Sequence, residues 1–261
     1  MHAEERRRQI ASLTAVEGRV SVTDLAHRFD VTAETIRRDL AVLGREGIVH
    51  RVHGGAVASQ SFLTAEMPLD ARYRSASGAK SAIARAALAY LPEESSDGIF
   101  LDSGTTISCL ARLLVDDPRA RSWPIVTRSL PVALELSGEG LSNVQLLGGT
   151  VRSLSQAVVG DMPLRALALM SADVAFIGTN ALTIDHGLSS ADPQEAAVKA
   201  AMMTSARKVV VLCDSTKLGT DFLVSFASLD DIDVLIIDHD APPQILEKFE
   251  SHGIELVVVS G

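Results

Sequence analysis

Residues 21–45 read SVTDLAHRFDVTAETIRRDLAVLGR, and this stretch decides the fold of the N-terminal part of the chain. Ser21, with Asp24 three positions later, has the pattern of a capping box, which predicts the start of a short helix with one apolar face. Thr32 caps a second predicted helix. Val31, before the cap, and Ile36, at the fourth helical position, form a hydrophobic staple. Two short helices joined by a tight turn predict a helix-turn-helix.

In a helix-turn-helix the second helix lies in the DNA major groove, with its N-terminal residues nearest the base edges. Arginine suits that position because its guanidinium pairs with guanine or with phosphate. The next stretch, IVHRVHGGAV at residues 48–57, predicts a β-ribbon with a Gly54-Gly55 turn, which is the wing of a winged helix-turn-helix. The residues predicted to contact DNA are Ser21, Thr32, Ala33, Glu34, Thr35, Arg37, Arg38, Arg51 and His53.

A second interpretation of the arginine pair stays open. Arg37 and Arg38 could belong to a solvated helix face and pair with Glu34 and Asp39. The charge distribution favours the DNA interpretation. Residues 1–57 carry nine arginines and eight acidic residues, a net charge of +1, whereas the remainder carries 15 basic and 25 acidic residues, a net charge of −10. The N-terminal part is therefore where a polyanion would be accepted.

Beyond residue 76, short apolar runs alternate with stretches of helical pattern. The runs lie at residues 99–102, 124–127, 144–149, 173–179, 208–214, 234–238 and 254–260. The helical stretches lie at residues 78–90, 106–115, 131–137, 193–206 and 243–252. Continuous apolar runs predict strands covered on both faces, and the alternation with helices predicts a mainly parallel α/β sheet. Ligands of such sheets bind beyond the carboxyl ends of the strands.

The pattern VTAETIRRDLAVL at residues 31–43, followed by RVHGGA at residues 51–56, resembles the signature of DeoR-type bacterial regulators. The resemblance continues across almost the full chain. The residue patterns predict a winged helix-turn-helix at 1–57, a linker at 58–75 and a mainly parallel α/β domain at 76–261. The resemblance implies that the second domain senses an effector and has a fold like that of pentose-phosphate isomerases. It also implies a transcription regulator, more often a repressor than an activator, controlled by a phosphorylated sugar or related metabolite.

The LDSGTT segment at residues 101–106 is the strongest local signal in the second domain. It lies between a predicted strand and a predicted helix, where free amides and the helix dipole form a phosphate site. A plain strand-to-helix turn capped by Ser103 or Thr105 would have the same pattern, but the resemblance favours the phosphate site. Polar residues at the other strand ends predict one common pocket. The predicted effector-binding residues are Asp102, Ser103, Gly104, Thr105, Thr106, Thr127, Arg128, Ser129, Gly148, Gly149, Gly178, Asn180, Glu195, Lys199 and Lys217.

Glu195 and Lys199 have two interpretations. From spacing alone they fit a helix cap with a surface ion pair, whereas the resemblance implies that both lie in the pocket. The resemblance also supports Lys217 as a phosphate ligand and extends, more weakly, to Arg72 and Lys80. The chain departs from similar regulators at three positions: Arg128 replaces the usual Asn, Ala181 a common Gly, and Ser189 a more usual Thr. Arg128 would either add positive charge to the pocket or pair with Asp102.

The main alternative function is a sugar-phosphate isomerase with an appended DNA-binding domain. Asp102, Glu195 and Lys199 are the candidate acids and bases for such an enzyme. We expect a regulator instead, because a complete DNA-reading domain has little use on an ordinary metabolic enzyme. We also expect no catalytic residues, no metal and no cofactor. The regulator should bind operator DNA as a homodimer or homotetramer. We expect a cytoplasmic protein without membrane partners, since no apolar run approaches the length of a membrane span.

Overall fold

The computed structural model describes residues 3–17, 19–45, 49–52, 54–58, 69–93 and 98–260. The chain divides into two compact units, Met1–Met67 and Pro68–Gly261. The division falls inside the segment 58–75 that the sequence predicts as a linker. Among the described residues, no helix is long and apolar enough to cross a membrane.

The described part of the N-terminal unit contains helices and a small antiparallel sheet. Its elements are α1 (Ala3–Glu17), β1 (Arg19–Ser21), α2 (Val22–Phe29), α3 (Ala33–Arg45), β2 (Val49–Val52) and β3 (Gly55–Ala58). The strands lie in the order β1-β3-β2. Helices α2 and α3 and the β2–β3 ribbon confirm the winged helix-turn-helix, whereas β1 was not predicted because three residues are too few to show a strand pattern.

Side-chain caps begin both helices of the motif. The Asp24 amide donates to Ser21 Oγ at 3.1 Å, and this hydroxyl donates to the Asp24 carboxylate at 2.7 Å. The Thr35 amide donates to Thr32 Oγ1 at 3.2 Å. Asp30 ends α2 in the left-handed conformation, with φ 51° and ψ 52°. The tight turn between the helices is therefore fixed by local hydrogen bonds.

The predicted Gly54-Gly55 turn needs a correction. Gly54 alone lies in the turn, with φ +79°, while Gly55 is the first residue of β3. A Cβ atom on Gly55 would lie 2.0 Å from the carbonyl oxygen of Val20. The second glycine is therefore required by the close approach of β1.

A small apolar core holds the N-terminal unit together. Its buried members are Ile10, Ala11, Val20, Val22, Leu25, Ile36, Leu40, Leu43, Val49 and Ala56. These residues come from all three described helices and all three strands, so α3 is held by its inner face while its outer face is left to solvent.

The C-terminal unit is built on a seven-stranded parallel sheet. Its strands are β4 (Ile99–Leu101), β5 (Ile125–Thr127), β6 (Val144–Leu146), β9 (Ala172–Gly178), β12 (Ala206–Cys213), β14 (Val234–Asp238) and β15 (Glu255–Val259). They lie in the order β15-β14-β12-β9-β4-β5-β6, and every neighbouring pair is parallel. Each of the seven predicted apolar runs forms one of these strands, which confirms the predicted sheet.

Helices cover both faces of this sheet. They are α4 (Leu69–Arg74), α5 (Ser77–Ala87), α6 (Thr105–Val115), α7 (Leu130–Gly138), α8 (Asp161–Leu167), α9 (Pro193–Thr204) and α10 (Pro243–Ser251). Successive residues of the central strands alternate between two apolar cores. Val174 and Phe176 pack with residues of α5, α6 and α7, whereas Ala175 and Ile177 pack with residues of α8, α9 and α10. Two-sided burial explains why the strands have continuous apolar sequences.

Short elements that the sequence did not predict complete the unit. They are the hairpin β7 (Thr150–Arg152) and β8 (Ala157–Val159), and a three-stranded antiparallel sheet of β10 (Ala181–Thr183), β11 (Gly187–Ser190) and β13 (Val224–Ala227). The helices α4 and α8 were also not predicted. Helix α4 lies within the predicted linker segment, so part of that segment has regular structure.

Candidate functional site

Helix α3 presents the predicted DNA-reading residues on its solvent side. Glu34, Arg37 and Arg38 have side chains that are 62%, 58% and 81% exposed. Glu34 lies 3.6 Å from each guanidinium, at helical spacings of three and four residues. Such exposed ion pairs contribute little stability, so both arginines can exchange the carboxylate for phosphate or a base edge at small cost.

Asp39, the other carboxylate considered as a partner for the arginine pair, points into the N-terminal unit. It is 3% exposed and accepts a hydrogen bond from Arg6 Nε at 2.6 Å. Arg7 lies 4.0 Å from the same carboxylate. The alternative pairing of Arg37 and Arg38 with Asp39 is therefore not found, and Asp39 instead fixes α1 against α3.

The remaining predicted DNA contacts divide into three groups. Ser21 and Thr32 act as helix caps, and the Thr35 hydroxyl lies 2.9 Å from the Thr32 hydroxyl. Ala33 begins α3 and is partly exposed, while Arg51 in the wing is exposed. His53 lies outside the described residues. The exposed cations of α3 and of the wing are thus the groups available to a polyanion.

In the C-terminal unit, the LDSGTT segment turns from β4 into α6. Gly104 is the N-cap of α6 with φ +118° and ψ 166°, a conformation that favours glycine. The first intrahelical bond runs from the Ser108 amide to the Gly104 carbonyl at 2.9 Å. The amides of the first helical turn have no acceptor within the helix. Together with the helix dipole they form an anion site at the carboxyl end of β4.

A cleft opens at this loop and is lined from several strand ends. It has a volume of about 50 Å³. Its lining residues are Arg72, Lys80, Ser103, Gly104, Thr105, Thr106, Ile107, Gly178, Thr179, Asn180, Glu195, Lys199, Leu212, Asp214 and Lys217. Four of these side chains are cationic and two are carboxylates, an excess of two positive charges in a chain whose net charge is −9. The cleft therefore favours an anionic ligand.

Behind the cleft, Arg128 is the centre of a buried ion-pair network. It is 0% exposed, and its Nε donates to Asp102 Oδ1 at 2.5 Å while its Nη2 donates to Glu195 Oε2 at 3.3 Å. Lys199 donates to Asp102 Oδ2 and, at 2.6 Å, to the Gly178 carbonyl. Of the two roles considered for Arg128, the pairing with Asp102 is the one observed, and the bond to Glu195 adds a third member that the sequence did not predict.

The network shifts the pKa values of its members. Burial would raise the pKa of Asp102, but the charges of Arg128 and Lys199 outweigh burial and lower it. Burial would likewise raise the pKa of Glu195, and Arg128 with the Ser155 hydroxyl lowers it instead. Burial lowers the pKa of Lys199, and Asp102 counteracts only part of that effect. Both carboxylates are therefore ionised and weakly basic.

Glu195 is further engaged by the β7–β8 hairpin. Its Oε1 accepts from Arg152 Nη1 at 3.0 Å and from the Ser155 hydroxyl. Arg152 also pairs with Asp192, the N-cap of α9, at 3.0 Å. The predicted cap at Asp192 is present, since its carboxylate accepts from the Gln194 and Glu195 amides at 2.9 Å. Glu195 is nevertheless a buried cleft residue and not a surface one.

Lys80 connects the cleft to helix α4. It is 3% exposed, and its ammonium donates to the carbonyl oxygens of Arg72 and Ser75, each at 2.6 Å. Tyr73 in α4 donates to Ser108 Oγ at 3.0 Å, which in turn donates to the Gly104 carbonyl at 3.1 Å. Burial lowers the pKa of Lys80 to about 8. Two chains of hydrogen bonds therefore join α4 to the Gly104 loop and the cleft.

Lys217 reaches the cleft from the short 3₁₀ turn Ser215–Lys217 after β12. The Asp238 carboxylate, at the end of β14, accepts from the Ser215 amide and from the Ser215 hydroxyl, each at 2.7 Å. Asp238 is 2% exposed. It thereby holds the turn that carries Lys217.

Six of the predicted effector residues do not line the cleft formed by the described residues. Asp102 and Arg128 belong to the ion-pair network behind it, and the other four lie elsewhere. Thr127 and Ser129 are buried and bond locally: the Ser129 amide donates to Thr127 Oγ1 at 3.0 Å, and Ser129 caps α7. Gly148 and Gly149 lie in the turn between β6 and β7, where a Cβ on Gly149 would come within 2.8 Å of the Val159 carbonyl oxygen. A local hydrogen bond, a helix cap and a close backbone approach account for Thr127, Ser129 and Gly149.

Sequence reasoning missed several groups around the cleft. Arg152, Ser155 and Asp238 act through side chains that come from distant parts of the chain, so no local spacing reveals them. Asp214 lines the cleft, and its position directly after a strand was a usable signal. Among the departures from similar regulators, Ala181 accepts from the Thr179 hydroxyl through its carbonyl, and Ser189 accepts from the Phe222 amide.

Comparison with known proteins agrees with this two-part organisation. Residues 6–62 match the DeoR-like helix-turn-helix domain, and residues 75–239 match the DeoR C terminal sensor domain. The chain is 36% identical to the HTH-type transcriptional regulator GlpR of Haloferax volcanii over 97% of this chain and 96% of that protein. It is 29% identical to the glycerol-3-phosphate regulon repressor of Escherichia coli over 98% of this chain and 99% of that protein.

Among solved structures, ribose 5-phosphate isomerase A from Neisseria gonorrhoeae aligns with 55% of this chain and 54% of its own, with 14% identity and a TM-score of 0.36. A TM-score at that level carries no argument about activity. The two matched domains together span most of the sequence, and the similarity to GlpR extends over nearly its full length. The chain belongs to the DeoR family of DNA-binding transcriptional regulators.

Proposed function

We propose that this regulator is a repressor whose C-terminal unit binds a phosphorylated sugar or related phosphate monoester in the cleft at Gly104–Thr106, and that binding changes its affinity for operator DNA. The observation that carries the proposal is the combination of a helix N-terminus with an excess of two positive charges in the cleft lining. A phosphate monoester carries a charge near −2 at neutral pH, which matches this excess.

The DNA-binding half of the proposal rests on α3 and the wing. Arg37 and Arg38 are exposed and only loosely held by Glu34, at 3.6 Å. A recognition helix offers its N-terminal residues to the base edges, and a partner copy would place a second helix on a neighbouring half-site. We therefore propose a homodimer or homotetramer that acts on a repeated operator in the cytoplasm.

The effector half assigns a role to each charged group of the cleft. The amides of the first turn of α6 and the ammonium of Lys217 hold the phosphate. Lys80 uses two of its three donors on the carbonyls of Arg72 and Ser75 and directs the third donor to the phosphate. Asn180 and Ser103 contact the rest of the ligand from the carboxyl ends of β9 and β4.

We propose that the cleft binds its ligand without converting it. An isomerase needs a base whose pKa lies near the working pH. Glu195, the carboxylate nearest such a role, has a lowered pKa and accepts hydrogen bonds from Arg128, Arg152 and Ser155. Asp102 also has a lowered pKa and is fully buried. Turnover of pentose or hexose phosphates at ordinary enzymatic rates would contradict this part of the proposal.

Helix α4 is the proposed route by which the effector signal leaves the cleft. It begins just after the division between the two units, and it is tied to the Gly104 loop through Tyr73 and Ser108 and to the cleft through Lys80. A phosphate that binds Lys80 and the loop together favours one position of α4. The ligand acts as a switch only if it binds the two arrangements with different affinity.

A thermal-shift screen of the full-length protein against phosphate monoesters tests the effector site. A ligand that binds the folded protein raises the melting temperature by mass action. We expect a rise with at least one phosphorylated compound, no rise with its unphosphorylated form, and loss of the rise in Thr105→Val/Thr106→Val and in Lys217→Ala. A rise that survives these substitutions would place the ligand elsewhere.

A further inference from the structure

The acceptor oxygens of Glu195 point to the chemical class of the effector. Glu195 and Asp214 are the carboxylates that line the described part of the cleft. Asp214 lies on the side of the cleft that carries Lys217, since its carbonyl oxygen accepts from the Lys217 amide at 3.0 Å. Glu195 is therefore the carboxylate placed to accept hydrogen bonds from the hydroxyl groups of a sugar.

The hydrogen bonds of Glu195 leave little capacity for such hydroxyls. A carboxylate has two oxygens and about four acceptor positions. Oε1 accepts from Arg152 at 3.0 Å and from Ser155, and Oε2 accepts from Arg128 at 3.3 Å. The oxygen with a remaining position, Oε2, faces the guanidinium of a fully buried arginine.

Asp102 and Lys199 extend the same closed network. Asp102 Oδ2 accepts from the Lys199 ammonium and from the Gly178 amide at 3.0 Å, while Oδ1 accepts from Arg128. Lys199 also donates to the Gly178 carbonyl. Two of the three donors of Lys199 are thus already bound within the protein.

We propose, on the basis of the proposed effector site, that Arg128 makes the cleft selective for phosphate monoesters with a short, hydroxyl-poor carbon skeleton. Arg128 does so by taking one of the two acceptor positions of Glu195 Oε2, which leaves a single position for the hydroxyl groups of a longer polyol. It acts on the ligand through Glu195 and is therefore a specificity-determining residue that does not touch the phosphate.

Calorimetric titration of the full-length protein with glycerol 3-phosphate, ribose 5-phosphate, fructose 6-phosphate and inorganic phosphate tests this inference. The three esters carry the same phosphate group, so ratios of their dissociation constants report on the carbon skeleton, while inorganic phosphate tests the phosphate site by itself. We expect glycerol 3-phosphate to bind at least about tenfold tighter than fructose 6-phosphate. Tighter binding of fructose 6-phosphate would overturn the inference and leave the phosphate site standing.

Two variants separate hydrogen bonding from bulk. Arg128→Met keeps most of the side-chain volume but frees Glu195 Oε2, so the preference for glycerol 3-phosphate should fall by about tenfold, the value of one hydrogen bond to a charged group. Arg128→Lys keeps a charged donor and should keep the preference. An unchanged ratio in Arg128→Met would overturn the inference. If Arg128→Met fails to fold by circular dichroism, the wild-type ratio and Arg128→Lys decide the question.

The same titrations distinguish this inference from the proposed function beneath it. Failure of the wild-type protein to bind any of the four probes, inorganic phosphate included, would overturn the phosphate site itself and the inference with it. Binding of inorganic phosphate together with equal affinity for the three esters would overturn only the role of Arg128.

Discussion

Substitution of Gly104 by alanine tests the loop that is proposed to hold the phosphate. Gly104 caps α6 with φ +118° and ψ 166°, and no atom lies within 4 Å of the position that a Cβ would take. The cost of Gly104→Ala is therefore backbone strain alone, about 1–3 kcal/mol. For a unit of the size of Pro68–Gly261, each kcal/mol lowers the melting temperature by about 2–4 °C. We expect a decrease of roughly 2–12 °C.

Gly160 provides a matched control for this substitution. It is the N-cap of α8, with φ +103° and ψ −170°, and a Cβ on this glycine would also have no atom within 4 Å. Gly160→Ala should lower the melting temperature by a similar amount. Because α8 does not contribute to the cleft lining among the described residues, ligand affinity should not change in that variant.

Ligand binding separates the two variants. Relief of the strain in Gly104→Ala moves the first amides of α6, and loss of one charge-assisted hydrogen bond costs about 1.5–3 kcal/mol. That loss weakens phosphate binding by about tenfold to 150-fold. Differential scanning fluorimetry gives the melting temperatures, and calorimetric titration with phosphate monoesters gives the affinities. Equal affinities in Gly104→Ala and Gly160→Ala would refute the assignment of the phosphate to this loop.

Three further predictions concern charged groups. Arg37→Ala/Arg38→Ala should weaken operator binding by about fivefold to 150-fold per arginine. Arg112→Ala removes an arginine that lies 3.6 Å from a carboxylate in the C-terminal unit, and it should leave binding unchanged in an anisotropy titration. Affinity for a phosphate monoester should be highest between the second phosphate pKa, about 6, and the pKa of Lys80, about 8. The ligand loses charge below that range, and Lys80 loses its proton above it. Lys80→Met should remove the decline in affinity above pH 8 in calorimetric titrations, and a decline that persists in this variant would assign it to another group. Asp39→Ala leaves Arg6 without its buried partner and should destabilise the N-terminal unit by about 3–5 kcal/mol. Scanning calorimetry should show a lower transition temperature for the N-terminal unit alone. A shift of the transitions of both units would contradict this prediction.

Much of the fold can be predicted from the sequence because buried strands have apolar sequences. The central strands are covered on both faces, so each one is a continuous apolar run, and all seven were predicted. The link between burial and an apolar run is weakest at the edge of the sheet, where Gln145 and Leu146 of β6 are exposed. Outside the wing, the small antiparallel strands were missed because three or four residues with mixed polarity have no period to detect.

The candidate site was only partly predictable. The GTT loop was predicted because strand ends and helix starts meet at one edge of a parallel sheet. Lys217 was predicted from its place after a strand end together with the family resemblance, whereas the cleft positions of Glu195 and Lys199 were implied by the resemblance alone. Thr127, Ser129 and Gly149 share that position in the sequence, yet a local hydrogen bond, a helix cap and a close backbone approach account for them. A strand end therefore predicts the edge of the sheet on which a residue lies, but not the direction of its side chain.

The ion-pair network shows what sequence spacing cannot reveal. Arg128 contacts a carboxylate 26 positions earlier in the chain and another 67 positions later. The pairing with Asp102 was one of two options considered, and only the three-dimensional arrangement shows that Glu195 completes it. Long-range pairs of this kind depend on strand order, which one sequence does not specify.

The central claim is that a phosphate monoester in the Gly104–Thr106 cleft changes the affinity of this regulator for DNA. Fluorescence anisotropy of the full-length protein on a DNA duplex tests this claim most directly. The duplex is selected by the protein from a random pool. The complex is then titrated with glycerol 3-phosphate, ribose 5-phosphate, fructose 6-phosphate and their unphosphorylated forms. We predict that at least one phosphorylated compound shifts the DNA dissociation constant, that no unphosphorylated form does, and that Lys217→Ala binds the duplex normally but loses the shift. A dissociation constant that no phosphate monoester changes, or a shift that Lys217→Ala retains in full, would contradict the account.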